Sequence, residues 1–131
     1  MSSDPADGEM TIRELLRKGY RLGIVTSGTE RRVSREIEQL GLSSTFEVVI
    51  CSEHIENKKP HPEGLEKAMS LIASSRETCC YIGDAPEDVQ MGRNARVFTV
   101  GVRSSYPTSK HLVSERPNIL LESIGDLLIQ F

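Results

Sequence analysis

Long hydrophobic runs are missing from this chain: nothing approaches the ~20 consecutive apolar residues that span a bilayer, and the N-terminus lacks the apolar centre of a signal peptide. A membrane partner is therefore not expected, and the chain reads as cytoplasmic. Cysteine is scarce. There are three, Cys51, Cys79 and Cys80, and none stands in C-x-x-C spacing. Cys79 and Cys80 are neighbours on a predicted strand, so their side chains leave opposite faces and make poor disulfide partners. Free thiols in a reducing compartment are the simpler account. An excess of basic charge is also missing. Sixteen Lys and Arg stand against nineteen Asp and Glu, a net charge of −3, which argues against a nucleic-acid partner held by bulk electrostatics. The turn Thr26-Ser27-Gly28-Thr29 lacks G-x-G-x-x-G, which excludes a dinucleotide-binding reading. His54, His61 and His111 share no ligand spacing and are expected at the surface.

What is present is one domain's worth of chain, 131 residues with 37% hydrophobic and 27% charged residues. A chain of this length buries roughly two-thirds of its unfolded surface, enough for a self-supporting core. Residues 1–8 are expected to form a flexible polar lead-in and residues 9–131 the domain. The pattern predicts a helix over 10–18 stopped by Gly19, then an apolar strand over 20–26. A helix capped by Thr29 follows over 30–40 and ends at Gly41. A strand over 46–51, a polar loop over 52–61 and a helix over 62–73 follow, the helix with proline at its first position. A strand over 79–82, a helix and a strand over 97–102 come next. The tail reads as a polar loop with Pro107, a short apolar run 119–121 and a final helix bearing Ile124, Leu127 and Leu128. Strand and helix alternate, and the strands are continuous apolar runs. That predicts an α/β fold, a three-layer Rossmann-like parallel sheet flanked by helices, with four core strands.

The chain is organised around Tyr81-Ile82-Gly83-Asp84-Ala85-Pro86-Glu87-Asp88, a buried strand running through a tight turn into a helix. Asp84 and Asp88 fall at the turn and on the first helical turn. Two carboxylates at a strand end suit a hard cation such as Mg²⁺, which prefers oxygen ligands and keeps several waters. A plainer account makes Asp84 a turn residue and lets Glu87 and Asp88 favour the positive helix end. In parallel α/β sheets ligands bind outside the carboxyl ends of the strands. This puts Thr26, the loop over 52–62 and Asp84 along one rim.

Taken in order, these three positions resemble the haloacid dehalogenase (HAD) superfamily of phosphohydrolases. The apolar strand ending in Thr26-Ser27-Gly28 is similar to the family's second motif, in which the hydroxyl and following backbone N–H groups bind the transferring phosphoryl group. Lys59, in Lys59-Pro60-His61-Pro62-Glu63, resembles the third motif in its phosphoglycolate phosphatase-like form. There the ammonium neutralises phosphoryl charge. Gly83-Asp84-x-x-x-Asp88 resembles the fourth motif, whose acids hold Mg²⁺. The resemblance implies catalytic roles for Thr26 and Lys59, a phosphate cradle of Thr26, Ser27, Gly28 and Lys59, and metal ligation by Asp84 and Asp88. Alone, Lys59 would read as a solvated loop lysine and Thr26 as an ordinary β-branched strand residue.

The same resemblance exposes a gap. The family's first strand carries D-x-D, the source of the nucleophile, and nothing here matches it. Asp4-Pro5-Ala6-Asp7-Gly8 holds two acids three apart, with no apolar strand before them. That strand is normally central, between those ending at Thr26 and Asp84. Its absence leaves two outcomes: the flanking strands pair directly, or a second chain supplies the missing one. The implied function is a Mg²⁺-dependent phosphatase of small phosphate esters in truncated form, with weak or no turnover alone. The alternative is a non-catalytic HAD-like binding or regulatory module that engages a partner chain. A glycine is usual in the family where Arg96 stands, and it would suit a tight helix-to-strand turn.

Overall fold

Glycine and proline punctuate the chain, and the elements fall between them. The computed structural model describes residues 5–103, 112 and 114–131. Helix α1 (Pro5–Arg17) starts inside the stretch expected to be an unstructured lead-in. Proline costs no hydrogen bond in a first helical turn, because the N–H it lacks has no intrahelical partner there. Strand β1 (Gly23–Val25) is the short centre of the predicted 20–26 run. Helix α2 (Glu30–Gln39) begins as expected under Thr29, whose hydroxyl accepts from the Arg32 N–H at 3.3 Å. Strand β2 (Val48–Ile50) leads through a 3₁₀ turn, Ser52–His54, into the loop that precedes helix α3 (Glu63–Leu71). Strand β3 (Cys80–Gly83), helix α4 (Pro86–Asn94) and strand β4 (Phe98–Val102) follow.

The tail departs from expectation. The apolar run Ile119–Leu121 is a fifth strand, β5, and the final helix divides into a 3₁₀ turn, Ile124–Asp126, and a short α5 (Leu127–Gln130). The expected loop with Pro107, and His111 within it, lie outside the described residues.

All strand pairing is parallel, but it makes two sheets rather than one. β1 lies beside β2 with Gly23 opposite Val48 and Val25 opposite Ile50. β4 lies between β3 and β5, with Cys80 opposite Phe98 and Val100 opposite Ile119. Where four core strands were expected, the described residues form five, in sheets of two and three. Of the two outcomes open to β1 and β3, direct pairing does not occur among the described residues.

Helix packing spans the split. Leu65 and Met69 of α3 pack with Met91, Ala95 and Val97, while Ala68 of the same helix packs with Val48 and Ile50. One helix therefore rests on both sheets. On the other face Leu15 and Leu127 pack with Val100, Val102 and Leu121. Tyr81 belongs to the α3–α4 side and Ile82 to the α1–α5 side, so helices cover both faces of β3. The three layers are as expected. The core is not one body but three clusters, and Val100, on the central strand β4, is 0% exposed. β3, expected to be buried, is half-buried along its whole length. Its one outer edge has no strand beside it among the described residues.

Candidate functional site

The carboxyl ends of the strands carry the chemistry. Thr26 follows β1 directly, and its N–H continues the ladder by donating to the Ile50 carbonyl at 2.9 Å. Its hydroxyl oxygen accepts from the Gly28 N–H at 3.1 Å, closing a tight turn. That contact uses a lone pair and leaves the hydroxyl proton free to donate outward. It also engages the Gly28 N–H, which had been expected to line the phosphate cradle. Gly28 is needed for space: a Cβ there would come within 2.7 Å of the Arg32 guanidinium and 3.0 Å of Val33. Ser27 is exposed at the tip of the turn. The Gly28 carbonyl accepts from the Ser52 N–H at 3.0 Å, so this turn is fastened to the start of the loop after β2.

At the far end of that loop stands Lys59, half-buried, beyond which the Lys59–Pro60 peptide is cis. Its ammonium donates to Asp88 Oδ1 at 2.6 Å and lies 6.0 Å from the centre of the Tyr81 ring. The loop is braced by Glu63, whose carboxylate accepts from the Glu56 and Asn57 backbone N–H groups at 3.1 and 2.9 Å. These bonds hold the Glu63 carboxyl below its ordinary pKa. Asn94 adds a second tie, donating to the Pro60 carbonyl at 2.9 Å. Lys59 is thus held from both sides and is no solvated lysine.

Asp88 is the fixed point of the site. It is 6% exposed, and both oxygens are engaged: Oδ1 by Lys59 and by the Tyr81 hydroxyl at 3.0 Å, Oδ2 by the Ala85 N–H at 3.2 Å. The last bond also satisfies a free donor at the start of α4. Gly83 permits this approach, because a Cβ there would collide with the Asp88 side chain. A buried carboxylate survives only when paired and hydrogen-bonded, and here three donors meet that need. Burial, then the Asp88 charge and the bond to it, hold the Tyr81 phenol far above its usual range, so it remains a donor.

Asp84 is exposed on the rim. Partial desolvation of its carboxyl, then the neighbouring Asp88 charge, raises its pKa, while its own backbone N–H and Lys59 pull the other way. An acid raised by a second acid is relieved by a cation. Among the described residues no cluster of three His, Cys, Asp or Glu forms a closed metal site. The donor set present, two carboxylates on an open rim, fits a hard cation that keeps most of its own water.

The structure therefore brings Lys59 and Asp88 into contact and fastens Thr26, Ser27 and Gly28 to the loop that carries Lys59. Tyr81, on the organising strand, had no expected role. The available signal was a hydroxyl inside an apolar strand, which needs a partner when buried. Of the histidines expected at the surface, His61 is exposed, whereas His54 is half-buried and its Nδ1 accepts from the Cys51 N–H at 2.8 Å. Cys51, Cys79 and Cys80 are free thiols.

The haloacid dehalogenase-like hydrolase family matches residues 6–102. Pyrophosphatase PpaX of Listeria monocytogenes is 38% identical over 117 residues, 89% of this chain and 54% of that protein. The Bacillus cereus protein of the same name is 36% identical over 118 residues, 90% of this chain and 55% of that protein. The chain spans about half the length of the curated relatives it matches. Among solved structures, a haloacid dehalogenase-like hydrolase of Bacteroides fragilis superposes with a TM-score of 0.84 at 26% identity, covering 90% of this chain and 56% of that one. A β-phosphoglucomutase of Clostridium difficile shares the fold with a TM-score of 0.78 at 22% identity, covering 95% of this chain and 53% of that one. The chain belongs to the haloacid dehalogenase-like hydrolase family and forms part of that family's α/β domain.

Proposed function

We propose that this chain is the phosphoryl-binding portion of a Mg²⁺-dependent phosphohydrolase acting on small phosphorylated compounds in the cytoplasm. The observation that carries the reading is the Lys59–Asp88–Tyr81 cluster beside Asp84 at the strand-end rim. Lys59 supplies positive charge to the phosphoryl oxygens, and its bond to Asp88 fixes its direction. Thr26 donates its free hydroxyl proton to the same group, joined by the Ser27 N–H, and Gly28 keeps the turn small enough for close approach. Asp84 would hold Mg²⁺ directly and Asp88, whose oxygens already have partners, through water. The bound cation would neutralise phosphoryl charge. The free thiols support the cytoplasmic reading.

Covalent phosphoryl transfer needs a nucleophile. Asp7 lies within α1 and not at a strand end, so it does not stand where one is needed. A second chain bearing the central strand would provide it. Asp7's placement equally favours a second reading, a non-catalytic HAD-like binding or regulatory module that holds phosphorylated ligands. The deciding experiment is Mg²⁺-dependent hydrolysis of p-nitrophenyl phosphate by the purified chain beside Asp84→Asn, with phosphate binding followed in both. Binding that needs Mg²⁺ and Asp84, with weak or no turnover, is the expected result. No binding in either protein would sink the reading.

A further inference from the structure

A titratable side chain closes the 3₁₀ turn Ser52–His54. His54 Nδ1 accepts from the Cys51 N–H at 2.8 Å, and the His54 N–H donates back to the Cys51 carbonyl at 3.0 Å. We infer that His54 is a pH-sensing positioning residue: neutral, it holds the Thr26–Gly28 turn in place for a phosphoryl group, and protonated, it releases that turn. The inference rests on the function proposed above only for the phosphoryl group. The ring and the turn stand without it.

Three links carry the state of the ring to the site. Next to Cys51, the Ser52 N–H donates to the Gly28 carbonyl at 3.0 Å. Glu53 Oε1 accepts from the Glu30 N–H at 2.9 Å, at the start of α2. His54 Nε2 lies 3.4 Å from Glu30 Oε2 on the same helix. The bond at Nδ1 fixes the tautomer. An accepting nitrogen uses its lone pair, so the proton of the neutral ring sits on Nε2 and faces Glu30. Protonation adds a proton at Nδ1, and two N–H groups then point at each other. The ring has to turn away, which strips the Cys51 N–H of its acceptor. Cys51 is 1% exposed, so water does not readily take the place of the ring.

The surroundings permit the change. Glu30 of α2 and Glu53 of the turn both attract an imidazolium. The Glu53 carboxyl is held below its ordinary pKa, first by the Glu30 N–H and then by its own, so it stays ionised while the ring titrates. Lys67 of α3 opposes the charge, but its ammonium is engaged by the His54 carbonyl at 2.6 Å. Burial, then the Glu53 and Glu30 charges, push the Cys51 thiol up, so it adds no charge.

The test runs between about pH 8 and about pH 5, the range over which an imidazole changes charge. Ring nitrogen shifts of the parent chain come first. At the upper pH the unprotonated nitrogen is expected to be Nδ1, and finding Nε2 instead would overturn the inference. Amide exchange, corrected for the intrinsic rate at each pH, is then followed at Cys51, Ser52 and Val100. Acidification is expected to reduce protection at Cys51 and Ser52 by about tenfold or more and to leave Val100 unchanged. His54→Asn places a side-chain oxygen where Nδ1 stood and does not titrate, so its protection is expected to hold. Equal loss at Val100 would mean that the whole chain opens, and equal loss in His54→Asn that another group titrates. Either result rejects the switch. Mg²⁺-dependent binding of inorganic phosphate is measured in both proteins. Acidification is expected to weaken it about fivefold more in the parent than in His54→Asn. Equal weakening in both rejects the inference as well. No phosphate binding in either, with the exchange response intact, removes the phosphoryl-binding reading and leaves His54 as the switch of the turn.

Discussion

Lys59 and Asp88 form the most consequential pair of side chains in the molecule. Both are largely withdrawn from water, and the Asp88 carboxylate depends on Lys59 for its one full opposite charge. Removing one partner of a buried pair leaves the other charge uncompensated, at a cost of about 3–5 kcal/mol. Lys59→Met is therefore expected to destabilise the chain by that order in urea denaturation, and a loss below about 1 kcal/mol would mean that the pair is loose. Tyr81→Phe removes only the second donor to Asp88, and is expected to cost about 1.5–3 kcal/mol, as for a hydrogen bond to a charged group. Thr26 and Asp84 stood out because each follows an apolar strand, whereas Lys59 in its polar loop and Asp88 in its helix stood out only through the resemblance to the family's motifs. Partnerships were not legible. Nothing in the spacing of Tyr81 and Asp88 tells which oxygen they share, or that Thr26 closes its own turn on Gly28.

At the scale of elements, the ends of the helices decide most. The residue after the cap of α1, α2, α3 and α4 takes a left-handed backbone, at Gly19, Gly41, Ala73 and Arg96, with φ of 97°, 71°, 55° and 61°. Glycine takes this conformation freely, whereas a side chain there costs roughly 1–2 kcal/mol. Arg96→Gly and Ala73→Gly are each expected to raise stability by about 1 kcal/mol, read as a higher midpoint in thermal unfolding, and Gly41→Ala to lower it. The loop bearing Lys59 has its own pH signature. Glu63 has a folded pKa below the ordinary carboxylate value, so its contribution is complete above that ordinary value, near 4.5, and is lost as pH falls through the folded pKa. Glu63→Gln should flatten the acid limb of a stability–pH curve, and an unchanged limb would remove Glu63 as the brace. The bounds of α2 and α3 were readable to within a residue or two, since Thr29, Gly41 and Pro62 mark them. β5 was not, because three apolar residues carry no period. Nor was the start of α1, where Pro5, Asp7 and Gly8 look like linker composition although proline is at home in a first turn.

At the scale of the molecule, the described residues form two parallel sheets with a cleft between them. Layering, strand direction and the rim that gathers the site all followed from alternating apolar runs. The separation into two sheets did not, because the sequence left pairing and non-pairing equally open. An open middle divides stability unevenly. Amides of Gly23–Val25 are expected to exchange faster than that of Val100, which lies on the central strand of its sheet at 0% exposure. Equal rates would mean that the two sheets open as one.

Helix α3 rests on both sheets, and the loop carrying Lys59 runs straight into its first turn. It therefore acts as a crossbar between two leaves. The loop that enters the crossbar carries the ammonium, so the seating of the crossbar on the two leaves bears on the aim of Lys59.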